Sequence, residues 1–181
     1  MTILVLADED SVVFRVQCDH VDVLACCGDL QDATIARARL YYKPRWVIGV
    51  RGNHDGSAPF APGITDLHLR VHVIDGIKFG GFAGSWRYKP RGHHLFEQDE
   101  VISRLSTFPP VDIFIAHNSP WGIHERDSHT HQGFVGFNTY VKRTNPRCFL
   151  HGHQHVDSVT LLGGTTIIAV YGEKLVHLAN S

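Results

Sequence analysis

Apolar residues recur along the chain in short runs, some continuous and some alternating with polar positions. Both patterns are typical of β-strands, since successive strand residues face opposite sides of a sheet. The predicted strands are 3–7, 21–27, 46–50, 67–74, 77–82, 113–116, 148–150, 158–162, 165–170 and 175–178. Gly163-Gly164 lies between two of these runs and predicts a hairpin turn.

Helical spacing of apolar residues appears in three other stretches, 32–42, 97–108 and 136–143. In the first stretch Ile35, Ala38 and Tyr42 share one face, and Asp32 is the candidate N-cap. Asn145-Pro146 follows the third stretch and predicts its end, because the residue before a proline disfavours helix.

The order of these elements predicts the fold class. Strands and helices alternate in the first half and return as strand–helix–strand near the end. We expect a single α/β domain over residues 1–181, built as a four-layer sandwich of two facing mixed β-sheets flanked by helices. The polar stretches 84–97 and 120–136 are too long for simple connections, which makes them candidate active-site loops.

Composition narrows the partners and the compartment. The 17 basic and 18 acidic residues leave a formal charge of -1, so no global field attracts nucleic acid or a membrane surface. No apolar run reaches membrane-spanning length, and the N-terminus has no basic region leading into an apolar one. The four cysteines lack metal-site spacing and fit a reducing compartment. We therefore expect a cytoplasmic protein without a membrane or nucleic-acid partner.

Side chains able to bind metals follow five of the predicted strands. The carboxyl ends of strands are where ligands collect in open α/β sheets. Each residue could be an isolated turn or cap residue, since Asp and Asn are common after strands. Buried strand ends, however, rarely collect so many acids and imidazoles without a cation. The clusters are Asp8-Glu9-Asp10, Gly28-Asp29, Gly52-Asn53-His54-Asp55, His117 and Gly152-His153-Gln154-His155.

Together these clusters favour a site with two metal ions. Two divalent ions about 3.5–4 Å apart polarise a phosphoryl group and activate water at neutral pH. Asp29 is the natural bridging ligand, because Gly28 lets the turn pass close to the ions. Alternate residues of an extended segment face the same way, so Asp8 and Asp10 can meet one ion and His153 and His155 can reach the pair.

This ordered set of motifs resembles the calcineurin-like metallophosphoesterase superfamily, and the match extends from residue 8 to residue 155. The resemblance implies the β-sandwich with outer helices already expected from the pattern. It also implies the ligands: Asp8, residue 10, Asp29 and His155 for the first ion, and Asp29, Asn53, His117 and His153 for the second. His54 is implied to contact the phosphate and act as general acid, supported by Asp55 or Asp29.

The chain departs from the family pattern at Asp10, where the family has histidine. A carboxylate remains a competent ligand for divalent ions. By formal counting it lowers the charge of the loaded site from about +1 to about zero. We expect this change to favour monoanionic diesters and harder ions such as Mn²⁺. The rival interpretation is that the first metal site fills weakly.

Substrate contacts are predicted from the two polar loops. His131, in the second loop, resembles the substrate-side histidine of some subgroups of the family. Arg87 and Arg91, in the first loop, are candidate phosphate contacts if that loop is a recognition flap rather than a solvated loop.

The sequence thus predicts a phosphoesterase that uses two divalent ions (Mn, Fe, Ni, Co or Zn, with Mn favoured) on a small phosphorylated substrate. Whether it cleaves monoesters or diesters, and its oligomeric state, stay open. The alternative is a catalytically weakened scaffold that binds protein. A nuclease of the same superfamily is a third possibility, but the basic surface expected of one is not visible in the sequence.

Overall fold

The computed structural model describes residues 1–11, 14 and 16–178. Within them the chain forms two main β-sheets, a two-stranded ribbon and three α-helices. In chain order the elements are β1 (Thr2–Ala7), β2 (Val23–Cys26), α1 (Asp32–Tyr42), β3 (Trp46–Gly49), β4 (Thr65–Asp66), β5 (Val71–Ile74), β6 (Ile77–Phe82), β7 (Ser85–Trp86), β8 (Leu95–Phe96), α2 (Gln98–Ser106), β9 (Ile113–Ala116), α3 (Val135–Thr144), β10 (Cys148–His151), β11 (Ser158–Leu162), β12 (Thr165–Ala169) and β13 (Gly172–His177). A 3₁₀ turn, His129–His131, precedes α3.

Both main sheets are mixed, as predicted. The first sheet has the order β13-β1-β2-β3-β4, with only its β13 strand antiparallel to its neighbour. The second has the order β11-β12-β10-β9-β6-β5, with antiparallel pairs at its two edges. The hairpin predicted at Gly163-Gly164 joins the antiparallel strands β11 and β12.

The inner strands of both sheets are apolar on both faces because the sheets are covered on both sides. Ile3 and Val5 of β1 pack in the core between the sheets, whereas Leu4 and Leu6 pack with α1 on the outer side. The outer side of the second sheet is covered by α2 and α3 through an aromatic cluster that includes Phe137. This burial on both faces explains the continuous apolar runs and confirms the sandwich flanked by helices.

Helix boundaries follow the sequence pattern closely, but the N-cap of α1 differs from the prediction. Asp32 was the predicted N-cap, whereas the N-cap residue is Gln31, whose own side chain makes no capping bond. The Asp10 carboxylate instead accepts the Gln31 N–H (2.9 Å), and Asp32 pairs with Arg51 (2.9 Å). Long-range partners outcompete the local cap, which the sequence alone could not show.

Only the second half of the predicted strand 67–74 is a strand, since β5 begins at Val71. Residues 67–70 form a turn region that follows the short strand β4. The strands β7 and β8 and the 3₁₀ turn were not predicted; each is only two or three residues long. Among the helices of the described residues, none is long and apolar enough to cross a bilayer.

Candidate metal centre

The carboxyl ends of parallel strands from both sheets meet at one edge of the sandwich. In the first sheet Cys26 pairs with both Leu6 and Gly49, so β1, β2 and β3 end level with one another. In the second sheet Ala116 pairs with His151 in the same way. The predicted clusters follow these ends, and side chains from all five clusters, although not that of Asp10, lie close together. This register is why five stretches far apart in sequence form one site.

Glycines leave room for these side chains. A Cβ on Gly28 would lie 2.5 Å from Gly52 N and 2.7 Å from His117 Nδ1, and the φ of Gly28 is +89°. A Cβ on Gly152 would lie 2.5 Å from Asp8 Oδ2. Only a residue without a side chain lets these turns pass so close to the site.

The backbone is strained at several of the predicted ligands. Four predicted ligands have left-handed backbone angles: φ is 61° at Asp8, 52° at Asp29, 66° at His153 and 50° at His155. Such angles are uncommon outside glycine and cost free energy that the surrounding structure must supply. No sequence signal indicated this conformation.

Asp29, Asn53 and His117 form the centre of the site. His117 is fully buried, and its Nε2 lies 2.9 Å from Asn53 Oδ1 and 3.4 Å from Asp29 Oδ2. Its Nδ1 lies 2.8 Å from the Cys27 carbonyl, to which it donates. In a neutral imidazole that bond places the ring proton on Nδ1, so the unprotonated Nε2 directs its lone pair at two oxygen acceptors.

A positive charge would satisfy both oxygens at this position, either as a proton on Nε2 or as a metal ion. Without metal, burial alone would lower the pKa of His117, but the Asp29 carboxylate, hydrogen-bonded to it, and Asp8 raise that pKa to about 9. Burial alone would raise the pKa of Asp29, yet the His117 imidazolium and the bonded His54 N–H hold it below its usual range. In the metal-free protein, the proton on His117 Nε2 takes the position that a bound metal ion would occupy.

His153 completes the group. Its Nε2 donates to the Thr130 carbonyl (3.1 Å), which leaves Nδ1 as the free lone pair. Burial, together with the charge on His117, lowers the pKa of His153 well below its ordinary value, so the ring is neutral and able to bind a metal. Ligand atoms of Asp29, His117 and His153 all lie within 4.8 Å of one another.

Asp8 and His155 form the neighbouring part of the site. The Asp8 side chain is fully buried; its Oδ2 accepts the His153 N–H (2.6 Å), but its Oδ1 has no hydrogen-bond partner among the described residues. That oxygen lies 3.9 Å from His117 Nδ1 and 4.0 Å from His155 Nε2. Burial raises the pKa of Asp8 to about 7, against the opposing effect of His117.

These donors fit a divalent ion. Two ligands each about 2.1 Å from a shared ion lie roughly 3.0 to 3.4 Å apart in octahedral or tetrahedral geometry. The contacts of His117 Nε2 with Asn53 Oδ1 (2.9 Å) and Asp29 Oδ2 (3.4 Å) match that spacing. The orphaned Asp8 Oδ1 marks a second point where a buried acceptor lacks a cation or donor.

Asp10 lies outside this group. Its side chain is directed to the start of α1, where Oδ1 accepts from Gln31 N, and its carbonyl accepts from Arg37 (2.7 Å). The substitution of the family histidine thus coincides with a carboxylate that already has a structural partner. Whether it also binds a metal ion stays a prediction.

His54 and Asp55 take different positions. The His54 side chain is exposed, while its N–H donates to Asp29 Oδ1 (2.8 Å). Asp55 accepts from the N–H groups of Gly52 (2.7 Å), Asp29 (3.0 Å) and Leu30 (3.2 Å). Asp55 therefore fixes two ligand-bearing loops to each other. Its predicted role as a support for the His54 ring stays a prediction, because the described contacts of Asp55 do not include that ring.

The predicted substrate-binding residues take different positions relative to the predicted metal ligands. His131 lies at the site, with its ring centroid 5.1 Å from that of His153 and 5.9 Å from that of His155. Arg87 is held away by the Leu95 carbonyl (2.6 Å) and the Glu97 carboxylate (3.0 Å). Arg91 is exposed. The structure brings His131, but not Arg87, beside the predicted ligands.

Sequence reasoning missed three residues that support the site. Tyr88 lies in the first polar loop, where its hydroxyl oxygen accepts from Asn53 Nδ2 (3.3 Å). The Tyr171 ring stacks on His155 at 5.2 Å, and its hydroxyl donates to Glu9 (3.0 Å). The third is His124. The mixture of aromatic and basic residues around Tyr88 was the one available signal.

His124 lies in the second polar loop, yet it is half-buried and hydrogen-bonded. Its Nδ1 donates to His151 Nε2 (3.0 Å), and its Nε2 accepts from Thr160 (2.8 Å). His151 in turn donates from Nδ1 to the Gly152 carbonyl (2.9 Å). Burial lowers the pKa of His151 to about 3, so this neutral chain of bonds braces the loop that carries His153 and His155.

A cavity of about 650 Å³ lies along the edge strand β4. Its lining includes Arg51, Phe60, Leu67 and His94, and none of the predicted metal ligands is among its described lining residues. The charged donors are therefore beside this cavity rather than inside it.

Comparison with known proteins gives one family match. The model of a family described as calcineurin-like phosphoesterase matches residues 10–157. Among curated proteins, the lariat debranching enzyme of Drosophila melanogaster is 29% identical over 152 residues. The match covers 58% of this chain and 28% of that enzyme. The chain thus spans little more than a quarter of the length of that relative.

Two solved structures share the fold at low sequence identity. The protein TT1561 of Thermus thermophilus has a TM-score of 0.64 and 15% identity, with 94% of this chain and 89% of that chain covered. The phosphopantetheinyl hydrolase of Mycobacterium tuberculosis has a TM-score of 0.63 and 13% identity, with the same coverage of 94% and 89%. These two comparisons show a shared fold and nothing beyond it.

Proposed function

Because this chain belongs to the calcineurin-like phosphoesterase family, we propose that it is an active hydrolase of phosphoric esters that uses two divalent metal ions. The single observation behind this proposal is the convergence of lone-pair donors at the strand ends. His117 Nε2 faces two oxygens, from Asp29 and Asn53, in a buried position that suits a positive charge. A small phosphorylated molecule is the proposed substrate.

The proposed ligands divide into two overlapping groups. Asp29, Asn53, His117 and His153 would hold one ion, and the fit of their donor atoms supports this group directly. Asp8, Asp29 and His155 would hold the other, supported by the partnerless Asp8 Oδ1. Bound ions would polarise the phosphoryl group and activate water.

The chain's own side chains would complete the reaction. His54 has an exposed imidazole on a backbone fixed by Asp29, so it can approach the oxygen that leaves and supply its proton. Asp55 would act as a positioning residue, since its carboxylate holds the Asp29 and Gly52 turns together. His131 lies at the edge of the site, where it can contact a phosphoryl oxygen.

Charge supports a preference for phosphodiesters. If Asp10 contributes its carboxylate to the first ion, the formal charge of the loaded site is about zero rather than about +1. A monoanionic diester loses less attraction at such a site than a dianionic monoester does. The same oxygen-rich donor set favours a hard ion, and we propose Mn²⁺.

A second candidate function, a weakened scaffold that binds protein, is favoured by one observation. The Asp10 side chain is bonded to the start of α1 and lies apart from the other predicted ligands. If it stays there when metal is supplied, the first ion has only three protein ligands and is held weakly.

We also propose a cytoplasmic location, because Cys18, Cys26, Cys27 and Cys148 are all free, as is usual for proteins in reducing compartments.

The test is turnover of bis(p-nitrophenyl) phosphate and p-nitrophenyl phosphate by metal-stripped protein supplied with Mn²⁺, Ni²⁺ or Zn²⁺. We expect turnover with at least one ion, with the diester preferred. Two bound equivalents without turnover by any ion would support the scaffold instead.

A further inference from the structure

The hydroxyl of Tyr88 lies directly beside the proposed metal centre. It accepts a hydrogen bond from Asn53 Nδ2 (3.3 Å), while Oδ1 of the same amide faces His117 Nε2 (2.9 Å). One amide group thus separates the tyrosine oxygen from the position of the cation. We propose that Tyr88 is a phosphoryl-binding residue whose hydroxyl group donates a hydrogen bond to a non-bridging oxygen of the substrate.

The hydrogen-bond inventory of the hydroxyl supports this role. A tyrosine hydroxyl has one donor and can also accept. The acceptor side is used by Asn53, which fixes the direction of the oxygen. Among the described residues this is the hydroxyl's single hydrogen bond, so its own proton is available to an acceptor that arrives at the site. A phosphoryl oxygen drawn to the ions is such an acceptor.

Main-chain hydrogen bonds fix the backbone on which Tyr88 is carried. Tyr88 N donates to the Trp86 carbonyl (3.0 Å), and Arg87 N donates to the Phe96 carbonyl (3.1 Å). The Arg87 side chain adds bonds to Leu95 and Glu97. A donor held in position before substrate arrives loses little conformational entropy on binding, which is what a phosphate contact requires.

The charge around Tyr88 also suits an anion. The Lys89 ammonium lies 5.0 Å from the centre of the Tyr88 ring. Under this proposal the first polar loop would contact the substrate through Tyr88 rather than through Arg87. This inference rests on the proposed function, since it assigns a contact within the same site.

The experiment compares Tyr88→Phe with Tyr41→Phe in Mn²⁺-loaded protein, using inorganic phosphate as the probe. Tyr41 is 57% exposed on α1 and serves as the matched control. Calorimetry measures the affinities for Mn²⁺ and for phosphate, and turnover of bis(p-nitrophenyl) phosphate is followed in parallel. We expect Tyr88→Phe to weaken phosphate binding about tenfold and lower kcat/KM to a similar extent, with Mn²⁺ affinity within about twofold of wild type.

Two results would overturn the inference. One is phosphate affinity in Tyr88→Phe equal to that of Tyr41→Phe. The other is a loss of Mn²⁺ affinity that accounts for the whole effect, which would make Tyr88 a support for Asn53 only. Wild-type protein that binds phosphate through Tyr88 but turns over no ester would contradict the proposed function while leaving this inference standing.

Discussion

Replacing Asp8 with asparagine should make the metal-free protein more stable while impairing its metal site. The Asp8 side chain is fully buried, one of its oxygens has no hydrogen-bond partner among the described residues, and burial raises its pKa from the ordinary value of 3.8 to about 7. Asparagine keeps the shape of the side chain and removes the buried negative charge. Stability given up at one residue for the sake of a site is a common trade-off in enzymes.

The magnitude follows from the pKa. Below pH 3.8 the carboxyl is protonated in both the folded and the unfolded state, so it contributes no difference. As pH rises toward about 7, only the unfolded state loses the proton, and stability falls. A shift of roughly three units at about 1.4 kcal/mol each gives about 4 kcal/mol above pH 7. We expect Asp8→Asn to gain about 2 to 4 kcal/mol at pH 8 and less than half of that at pH 5.

The assay is urea unfolding of chelator-treated protein at pH 5 and pH 8, with the exposed Asp127→Asn as the matched control. Mn²⁺ at 100 times its dissociation constant should stabilise wild type by about 2.7 kcal/mol, and Asp8→Asn by much less. The reasoning is refuted if Asp8→Asn is no more stable than wild type at pH 8, or if its advantage does not shrink at pH 5.

Three further substitutions test other parts of the site. His54→Gln should lower kcat about 100-fold at unchanged Mn²⁺ affinity; His93→Gln is the exposed control, and an equal effect in both would exclude a role as proton donor. Asp10→His restores a positive formal charge and should raise monoester relative to diester turnover about tenfold; an unchanged ratio contradicts the charge argument. Gly28→Ala should abolish Mn²⁺ binding and cost at least about 2 kcal/mol more than Gly76→Ala, because both glycines have positive φ but only Gly28 is crowded; equal costs by urea unfolding would show that the close contacts do not matter.

The agreement between pattern and structure is best where local and global preferences coincide. Helix α1 covers 32–42 as predicted, and β1, β3, β6 and β9 lie within a residue or so of their apolar runs. These strands are buried on both faces, so their sequences carry a strong signal. Predictions failed where a distant partner decided the local structure, as when Asp10 rather than Asp32 bonded to the start of α1.

The candidate site shows the same division. Asp8, Asp29, Asn53, His117 and His153 were identified from residue type and position after strands, and the fold brings them into contact. The partners that orient them were not identified. Cys27 and Thr130 contribute backbone carbonyls, which every residue has, so no side-chain pattern could mark them.

The sequence by itself determined the family and most of the strand and helix order, and it identified the candidate donor groups, because each depends on residue types at fixed local positions. Tertiary structure alone decided the direction of each donor. The left-handed backbone at Asp29 and His153, the proton position on His117, and the contact of Tyr88 with Asn53 depend on atoms from segments far apart in the chain. Chemistry at this site depends on those directions, because a lone pair binds an ion only when it points at it.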